Sequence, residues 1–148
     1  MAKPSRLNEP YLLAAFICER VLIDQDKIPS YIRAIDTINL PVRTIEPLMV
    51  ISVNASLVVS LRPGERAGKQ DTGLGIWLVD PSGKKRKLFF AKLVTFPEKR
   101  TEKSSPTFGI NIYLEWEGEG RYSFEIHLNN KKVAVVPLKI NLAKPAKS

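Results

Sequence analysis

The sequence predicts an all-β protein, folded as an antiparallel β-sandwich of about eight strands with an Ig-like arrangement. Apolar residues from Tyr11 onward recur with a period of two more often than with the helical period of about 3.6. The apolar runs are rich in Val, Ile, Leu, Phe and Tyr, and clusters of Gly, Pro, Asn and Asp separate them. Strands with one apolar face need a second sheet, and without intervening helices no parallel crossover is expected. A closed barrel is the structural alternative.

The predicted strands begin with a hairpin. The first apolar run would tolerate a helix, but a polar turn and a β-branched run follow it, which favours two paired strands. The strands are predicted at Tyr11–Ile23, Tyr31–Leu40, Leu48–Leu61, Leu74–Val79, Lys85–Phe96, Phe108–Trp116, Arg121–Leu128 and Lys132–Leu142. The third strand is expected to bend near Asn54. Residues 63–72 and 97–106, rich in Gly, Pro, Ser, Thr and charge, are expected to form exposed loops.

The turns between these strands have recognisable chemistry. In Asp80–Gly83, the Asp accepts hydrogen bonds from the turn backbone, Pro presets the first central residue and Gly takes a positive φ. Glu117–Gly120 is a second turn. Asn129 and Asn130 tolerate the left-handed backbone that a tight hairpin needs.

The length of 148 residues is sufficient for one continuous core, so we expect residues 1–148 to form a single domain with flexible ends at 1–10 and 143–148. One Cys and one His exclude an internal disulfide and a four-ligand zinc site, and a lone Cys is typical of the reducing cytoplasm. Glu19 and Arg20 interrupt the first apolar run too early for a signal peptide or a membrane span, so no membrane partner is expected. Neither a dinucleotide fingerprint nor a Walker loop is present, so no cofactor is expected.

The net charge of +8 is concentrated in the middle of the chain. Residues 1–61 are neutral, residues 104–148 carry +2 and residues 62–103 carry +6. A basic surface attracts an acidic protein, a nucleic acid or an anionic membrane. The alternative is a set of solvated loops that protect strand edges, and these loops lack the aromatic residues that single-strand nucleic-acid sites use. The candidate nucleic-acid contacts are Arg62, Arg66, Lys69, Lys99, Arg100 and Lys103.

Aromatic residues and the basic run Lys84–Lys87 indicate a second kind of surface. Trp77 and Tyr113 do not both fit the apolar faces of their strands, so at least one ring is expected outside the core. An exposed Trp or Tyr beside basic residues can anchor a protein partner. The alternative is a ring on the second face of a sheet, covered by a loop such as residues 63–72. The candidate partner contacts are Trp77, Lys84, Lys85, Arg86, Lys87 and Tyr113.

No catalytic or metal-binding constellation is found. Cys18 lies in an apolar run and His127 on the polar register of its strand, which favours a core thiol and a solvated or edge imidazole over a catalytic pair. Glu19 or Asp36 could form an ion pair with a neighbouring arginine, Arg20 or Arg33, and this is preferred over a glycosidase-like carboxylate pair. The glutamates around the second turn lack the calcium-loop motif, so no metal is expected; they are Glu115, Glu117, Glu119 and Glu125.

Two stretches resemble a family of small bacterial proteins of unassigned function and similar length. They are Phe16–Leu22 followed by Tyr31–Asp36, and Gly120–Leu128 followed by Lys131–Ala134 and Pro137–Leu138. The second stretch is common among Ig-like sandwiches, whereas the first is more distinctive. The resemblance extends from about Tyr11 to Leu142. It implies a cytosolic β-sandwich without known catalytic residues, so it transfers no site.

These observations favour a non-catalytic protein-interaction module, a subunit or accessory part of a bacterial assembly, with an acidic protein as partner. The alternative is a nucleic-acid-binding β-domain that uses residues 62–103. An enzyme would require a deep polar cleft. The sequence is compatible with a homo-oligomer.

Overall fold

The computed structural model describes residues 9–23, 25–26, 29–41, 49–65, 68–95 and 107–143. Within these ranges the protein is all-β, with nine strands and no helix. The strands are β1 (Tyr11–Ile23), β2 (Pro29–Ile35), β3 (Thr37–Pro41), β4 (Val50–Arg62), β5 (Gln70–Val79), β6 (Lys85–Thr95), β7 (Thr107–Glu115), β8 (Gly120–Leu128) and β9 (Lys131–Ala143). No helix in this part of the chain is long and apolar enough to cross a bilayer.

The strands form two sheets. One has four antiparallel strands in the order β2-β1-β4-β7, and the other has five in the order β3-β9-β8-β5-β6. In the five-stranded sheet, β3 pairs with β9 in parallel and the other pairs are antiparallel. The predicted all-β class is therefore confirmed. The described residues form nine strands, so the count of about eight is not confirmed, and the expectation of purely antiparallel pairing is wrong because β3 and β9 are parallel.

The extra strand arises at Asp36, where the predicted run Tyr31–Leu40 divides between the two sheets. Ile35 is the last residue of β2 to pair with β1, and Thr37 is the first of β3 to pair with β9. At the crossing, the backbone carbonyl of Asp36 accepts a hydrogen bond of 2.8 Å from the backbone N–H of Lys139. The strands β4 to β8 lie between β3 and β9 in the sequence and supply the long connection that two parallel strands need. Their parallel pairing therefore needs no crossover helix.

The two sheets share one hydrophobic core. Alternate residues of β4 and β7 point into it from the four-stranded sheet, and alternate residues of β5, β8 and β9 from the five-stranded sheet. The predicted inward faces of β7 and β8 are confirmed by the buried side chains Ile112, Leu114, Trp116, Tyr122, Phe124, Ile126 and Leu128. Each sheet thus has an inner face on the core and an outer face directed away from it.

One predicted loop is partly wrong. Residues 70–72 belong to β5, and both Gln70 and Thr72 are buried. The Gln70 amide explains this, because its Nε2 donates to the Gly64 carbonyl at 3.0 Å and its Oε1 accepts from the Gly64 N–H at 2.8 Å. A polar side chain that replaces a backbone partner in this way is buried without an unsatisfied group.

The predicted turn chemistry is confirmed. Asp80 Oδ1 accepts from the backbone N–H groups of Ser82 at 2.9 Å and Lys84 at 3.0 Å, and Gly83 has φ of 89°. Asn129 and Asn130 have φ of 50° and 65° in the turn between β8 and β9. These turns fix the two hairpins whose outer faces meet at the candidate site.

Candidate binding groove on the five-stranded sheet

A bulge in β6 places Lys87 beside Trp77 on the outer face of the five-stranded sheet. Ile76 pairs with Phe89, but the next residue, Trp77, pairs with Lys87, so Leu88 is an extra residue in β6. Ile76 is buried in the core, and Trp77, which follows it on the strand, therefore points outward. Without the bulge, Lys87 would not lie on the same face as Trp77.

Lys87 lies against two aromatic rings. Its Nζ is 5.5 Å from the Trp77 ring centroid and 4.8 Å from the Phe90 ring centroid. Phe90 is 59% exposed and Trp77 is half-buried. Both distances lie within about 6 Å, the range of a cation–π interaction, so the rings hold the ammonium in place without a carboxylate from the described part of the chain.

The floor of the site is bare because β5 carries glycines there. Gly73 and Gly75 face outward on either side of the buried Leu74. A Cβ at Gly75 would lie 3.8 Å from Trp77 Nε1, and one at Gly73 would lie 3.7 Å from the Phe90 ring. The rings therefore lean over the glycines and leave an open groove of about 450 Å³. We call it the Trp77 groove, and its side-chain walls are Trp77, Lys85, Lys87, Phe90, Glu125 and His127.

A carboxylate lies at the base of the Trp77 groove. Glu125 is only 7% exposed, and its oxygens are 3.1 Å from Lys85 Nζ and 3.2 Å from His127 Nε2. The hydrogen bond from Lys85, and then that from His127, holds the pKa of this carboxyl below its ordinary value, although burial opposes the shift. The groove thus combines a fixed negative charge, two lysines and two aromatic rings.

The predicted partner contacts divide among three surfaces. Trp77, Lys85 and Lys87 meet in the Trp77 groove. Lys84 lies in the turn before β6, and Arg86 forms an ion pair with Glu115 of the other sheet, so neither lines the groove. Tyr113 is 55% exposed, on β7 of the four-stranded sheet. Both predicted rings are therefore outside the core, but they do not share a surface.

The predicted nucleic-acid contacts are not brought together among the described residues. Arg62 donates to the Ser60 hydroxyl at 3.0 Å and to the Leu61 carbonyl at 2.9 Å, at the end of β4. Lys69 lies 3.8 Å from Asp71. The remaining residues of this prediction lie outside the described residues; they are Arg66, Lys99, Arg100 and Lys103.

The thiol and the imidazole belong to different sheets. Cys18 is fully buried in β1, and its Sγ contacts the Arg20 carbonyl at 3.5 Å, which confirms a core thiol. Burial raises the pKa of this thiol. His127 lies on the central strand β8, half-buried beside Trp77, with 6.3 Å between the ring centroids. His127 thus lies on the outer face of the sheet, as its polar register predicted, but on a central strand and half-buried, not at an edge.

The acidic residues have separate structural partners. Glu19 Oε1 and Arg33 Nη1 form the predicted ion pair, at 3.0 Å, although both side chains are exposed. Asp36 Oδ1 accepts from the Thr37 hydroxyl at 3.1 Å. In the part of the chain that the structure describes, no three His, Cys, Asp or Glu side chains group closely enough to hold a metal ion.

Sequence reasoning missed most of one wall of the groove. Phe90, Glu125 and His127 were assigned to strands, but not to a site shared with Trp77. The sequence signal that could have identified Phe90 is its place in β6, the hairpin partner of β5. Glu125 and His127 reach the groove only because β5 pairs with β8, with Trp77 opposite Glu125 and Gly75 opposite His127. That pairing joins strands far apart in sequence.

Comparisons with known proteins place the chain in no family. No protein-family model matches it, and no curated protein matches it. Among solved structures, it is similar to part of the Pseudomonas fluorescens alkylpurine DNA glycosylase AlkC, bound to DNA containing an abasic site analog. The likeness covers 72% of this chain and 27% of the glycosylase chain, with 13% sequence identity and a TM-score of 0.41. This chain thus spans less than a third of that protein, and a likeness of this size assigns neither a fold family nor an activity.

Proposed function

We propose that the protein is a non-catalytic interaction module that binds an acidic segment of another protein in the Trp77 groove. The observation that carries this proposal is the Lys87 ammonium held against Trp77 and Phe90, with Lys85 beside it. Aromatic rings are common in the hot spots of protein interfaces, and lysines beside them attract an acidic partner through electrostatic complementarity. When a carboxylate of the partner binds Lys87, the apolar side chains next to it in the partner pack against the two rings.

The charges of the groove favour a protein partner over a nucleic acid. Glu125 lies at its base and neutralises much of the charge of Lys85, so the groove offers little net positive charge to a phosphate backbone, whose affinity depends on several cations. Asn129 and Asn130 add groups that both donate and accept hydrogen bonds. Donors, acceptors and charges of both signs suit a polypeptide, whose backbone and side chains present the same variety.

A capture experiment from the native host tests this proposal. The immobilised protein is exposed to host lysate at moderate salt, with Trp77→Ala and Lys87→Glu as groove variants. Tyr113→Ala and Lys84→Glu are the matched controls, because these residues lie away from the groove. We expect the groove variants to lose a partner that the controls retain. Recovery of no partner, or of one partner at equal yield from all four variants, contradicts the proposal.

A second candidate function is single-stranded nucleic-acid binding on the same face. Lys92 pairs with Gly73 and Lys132 pairs with His127, which adds two cations at the border of the groove near the exposed Phe90. Base stacking on aromatic rings between cations is the general mode of such sites. It predicts that the logarithm of affinity falls with the logarithm of salt by about 0.7 per neutralised phosphate. Absence of an anisotropy change with a labelled oligonucleotide at low salt excludes it.

The remaining expectations from the sequence also belong to this proposal. An Ig-like sandwich is supported by the Tyr122 hydroxyl, which bonds to the backbone just upstream, as in the tyrosine corner of that fold. Membership of the small bacterial family and a cytoplasmic location are supported by the sequence resemblance and the lone, reduced Cys18.

A further inference from the structure

β1 and β4 separate partway along the four-stranded sheet. We call the opening between them the fork; the strand pair β1–β2 forms one arm and the pair β4–β7 forms the other. The ladder between β1 and β4 ends at Cys18 and Ser56. Beyond that point, among the described strands, β1 continues to Ile23 paired only with β2, and the start of β4 pairs only with β7. The opening has a volume of about 600 Å³, which lies in the usual range of roughly 300–1,000 Å³ for small-ligand sites.

Each arm of the fork contains a non-glycine residue with a positive φ. Arg33 on β2 and Asn54 on β4 both have φ of 52°. At Asn54 the register of β4 against β7 shifts between Ser52 and Ser56, so the predicted bend near Asn54 is confirmed as a bulge. A left-handed conformation is strained for a non-glycine residue within a strand, and such strain concentrates at binding sites. The fork has one on either side.

Among the residues that the structure describes, the charges of the fork leave one cation available. Arg33 bonds to Glu19 at 3.0 Å, which fixes both side chains on the β1–β2 arm. Arg20 also lines the opening, and its guanidinium has no ion pair or hydrogen bond with any described residue. A guanidinium with unused donors binds a carboxylate or a phosphate group through two parallel hydrogen bonds.

The β4–β7 arm supplies neutral polar groups. Ser56 Oγ donates to Asn111 Oδ1 at 3.1 Å, which leaves the amide N–H groups of Asn111 for a ligand. Ser52 and Asn54 line the same opening, and Tyr113 presents an exposed ring at its side. Amides and hydroxyls that both donate and accept match the hydroxyl groups of a sugar, whose flatter C–H face packs on an aromatic ring.

We propose that the fork binds an acidic sugar unit, a hydroxyl-rich ring that carries one carboxylate or phosphate group. Arg20 binds the anionic group, Asn54 and Asn111 hydrogen-bond to the ring hydroxyls, and Tyr113 packs against the ring. The site is independent of the Trp77 groove, because it lies on the other sheet.

Amide NMR of the labelled full chain tests the proposal with four probes: glucuronate, glucose-6-phosphate, glucose and inorganic phosphate. We expect amide shifts around Asn54 and Asn111 with one or both acidic sugars. The two acidic probes distinguish a carboxylate ligand from a phosphorylated one. The neutral sugar and the free phosphate should each bind far more weakly, because each lacks one half of the contacts. Equal shifts with inorganic phosphate, or no shifts with any probe, overturn the proposal.

Two variants connect these shifts to the fork. Arg20→Gln is expected to weaken the acidic sugar roughly 10- to 100-fold, the usual effect of losing a charged hydrogen bond. Arg121→Gln, an exposed arginine on the other sheet, should leave binding unchanged. Asn54→Gly keeps the positive φ without strain, so it should fold normally and still bind more weakly. Unchanged affinity in both Arg20→Gln and Asn54→Gly overturns the proposal.

Discussion

Lys85 on β6 and Glu125 on β8 form an ion pair across the strand between them, with Lys85 Nζ 3.1 Å from Glu125 Oε2. The lysine is 54% exposed, whereas the carboxylate is almost covered by the walls of the Trp77 groove. A covered carboxylate depends on its partners for the solvation that it has lost. The ion pair therefore links the protonation of one groove residue to the stability of three adjacent strands.

Glu125→Gln should destabilise the protein more at neutral pH than in acid. The pKa of Glu125 is lowered in the folded state, so its stabilising effect is fully present above the ordinary pKa of 4.5 and is lost as the pH falls through the folded-state value. We expect a loss on the order of 1–2 kcal/mol at pH 7, less than for a fully buried pair. Urea unfolding at pH 7 and pH 3 measures it. An equal loss at both pH values contradicts the assignment.

Lys85→Met should reproduce much of this pH dependence, because Lys85 is the largest cause of the lowered pKa of Glu125. The matched control is Lys84→Met, at the neighbouring position in the turn and outside the groove. Its unfolding free energy should stay within about 0.5 kcal/mol of the wild-type value. If the two lysine variants behave alike across the pH range, the ion pair contributes nothing measurable.

Gly75→Ala should impair binding in the Trp77 groove without harming the fold. The added Cβ would meet Trp77 Nε1 at 3.8 Å and His127 Cβ at 3.9 Å, which are ordinary contact distances. Replacing a strand glycine also reduces the entropy lost on folding, so stability should be unchanged or up to about 1 kcal/mol higher. Calorimetry with the captured partner should show weaker binding. If the variant loses stability as well as binding, the added methyl group crowds its neighbours in the fold and does not simply fill the floor of the groove.

Much of the fold follows from local signals in the sequence. The alternation of Tyr122, Phe124, Ile126 and Leu128 identifies the inward face of β8, because these side chains repeat every second residue. The crossing at Asp36 has no such signal. Its role is set by one hydrogen bond to Lys139, which lies at the opposite end of the chain.

The Trp77 groove could be predicted only in part, for the same reason. Trp77 and Lys87 flank a recognisable turn, so their proximity follows from the hairpin. The bulge at Leu88 decides on which face of the sheet Lys87 lies. The local sequence is a run of apolar and basic residues, which carries no signal for a bulge. Glu125 joins the site through strand order alone, and strand order depends on long-range packing that local patterns do not encode.

Cys18→Ala should lower stability, in contrast to the behaviour of a catalytic thiol. Cys18 is fully buried between the ladder partners Ser56 and Ala34, so removing its sulfur leaves a small cavity. We expect a loss of about 1 kcal/mol in the free energy of unfolding, visible as a lower melting temperature. Burial also raises the thiol pKa, so an aromatic disulfide reagent should react slowly until urea unfolds the chain. An unchanged melting temperature would falsify this structural role.

Tyr122→Phe should release the turn that precedes β8. The Tyr122 hydroxyl donates to the Gly118 carbonyl at 2.8 Å and accepts from the Glu117 N–H at 3.1 Å. The variant fills the same space but leaves both backbone groups without that partner, which costs about 1–3 kcal/mol. Tyr113→Phe removes the same atom from an exposed ring and should change stability by less than about 0.5 kcal/mol. Urea unfolding of both variants decides the matter, since equal effects mean that the hydroxyl of Tyr122 does not hold the turn.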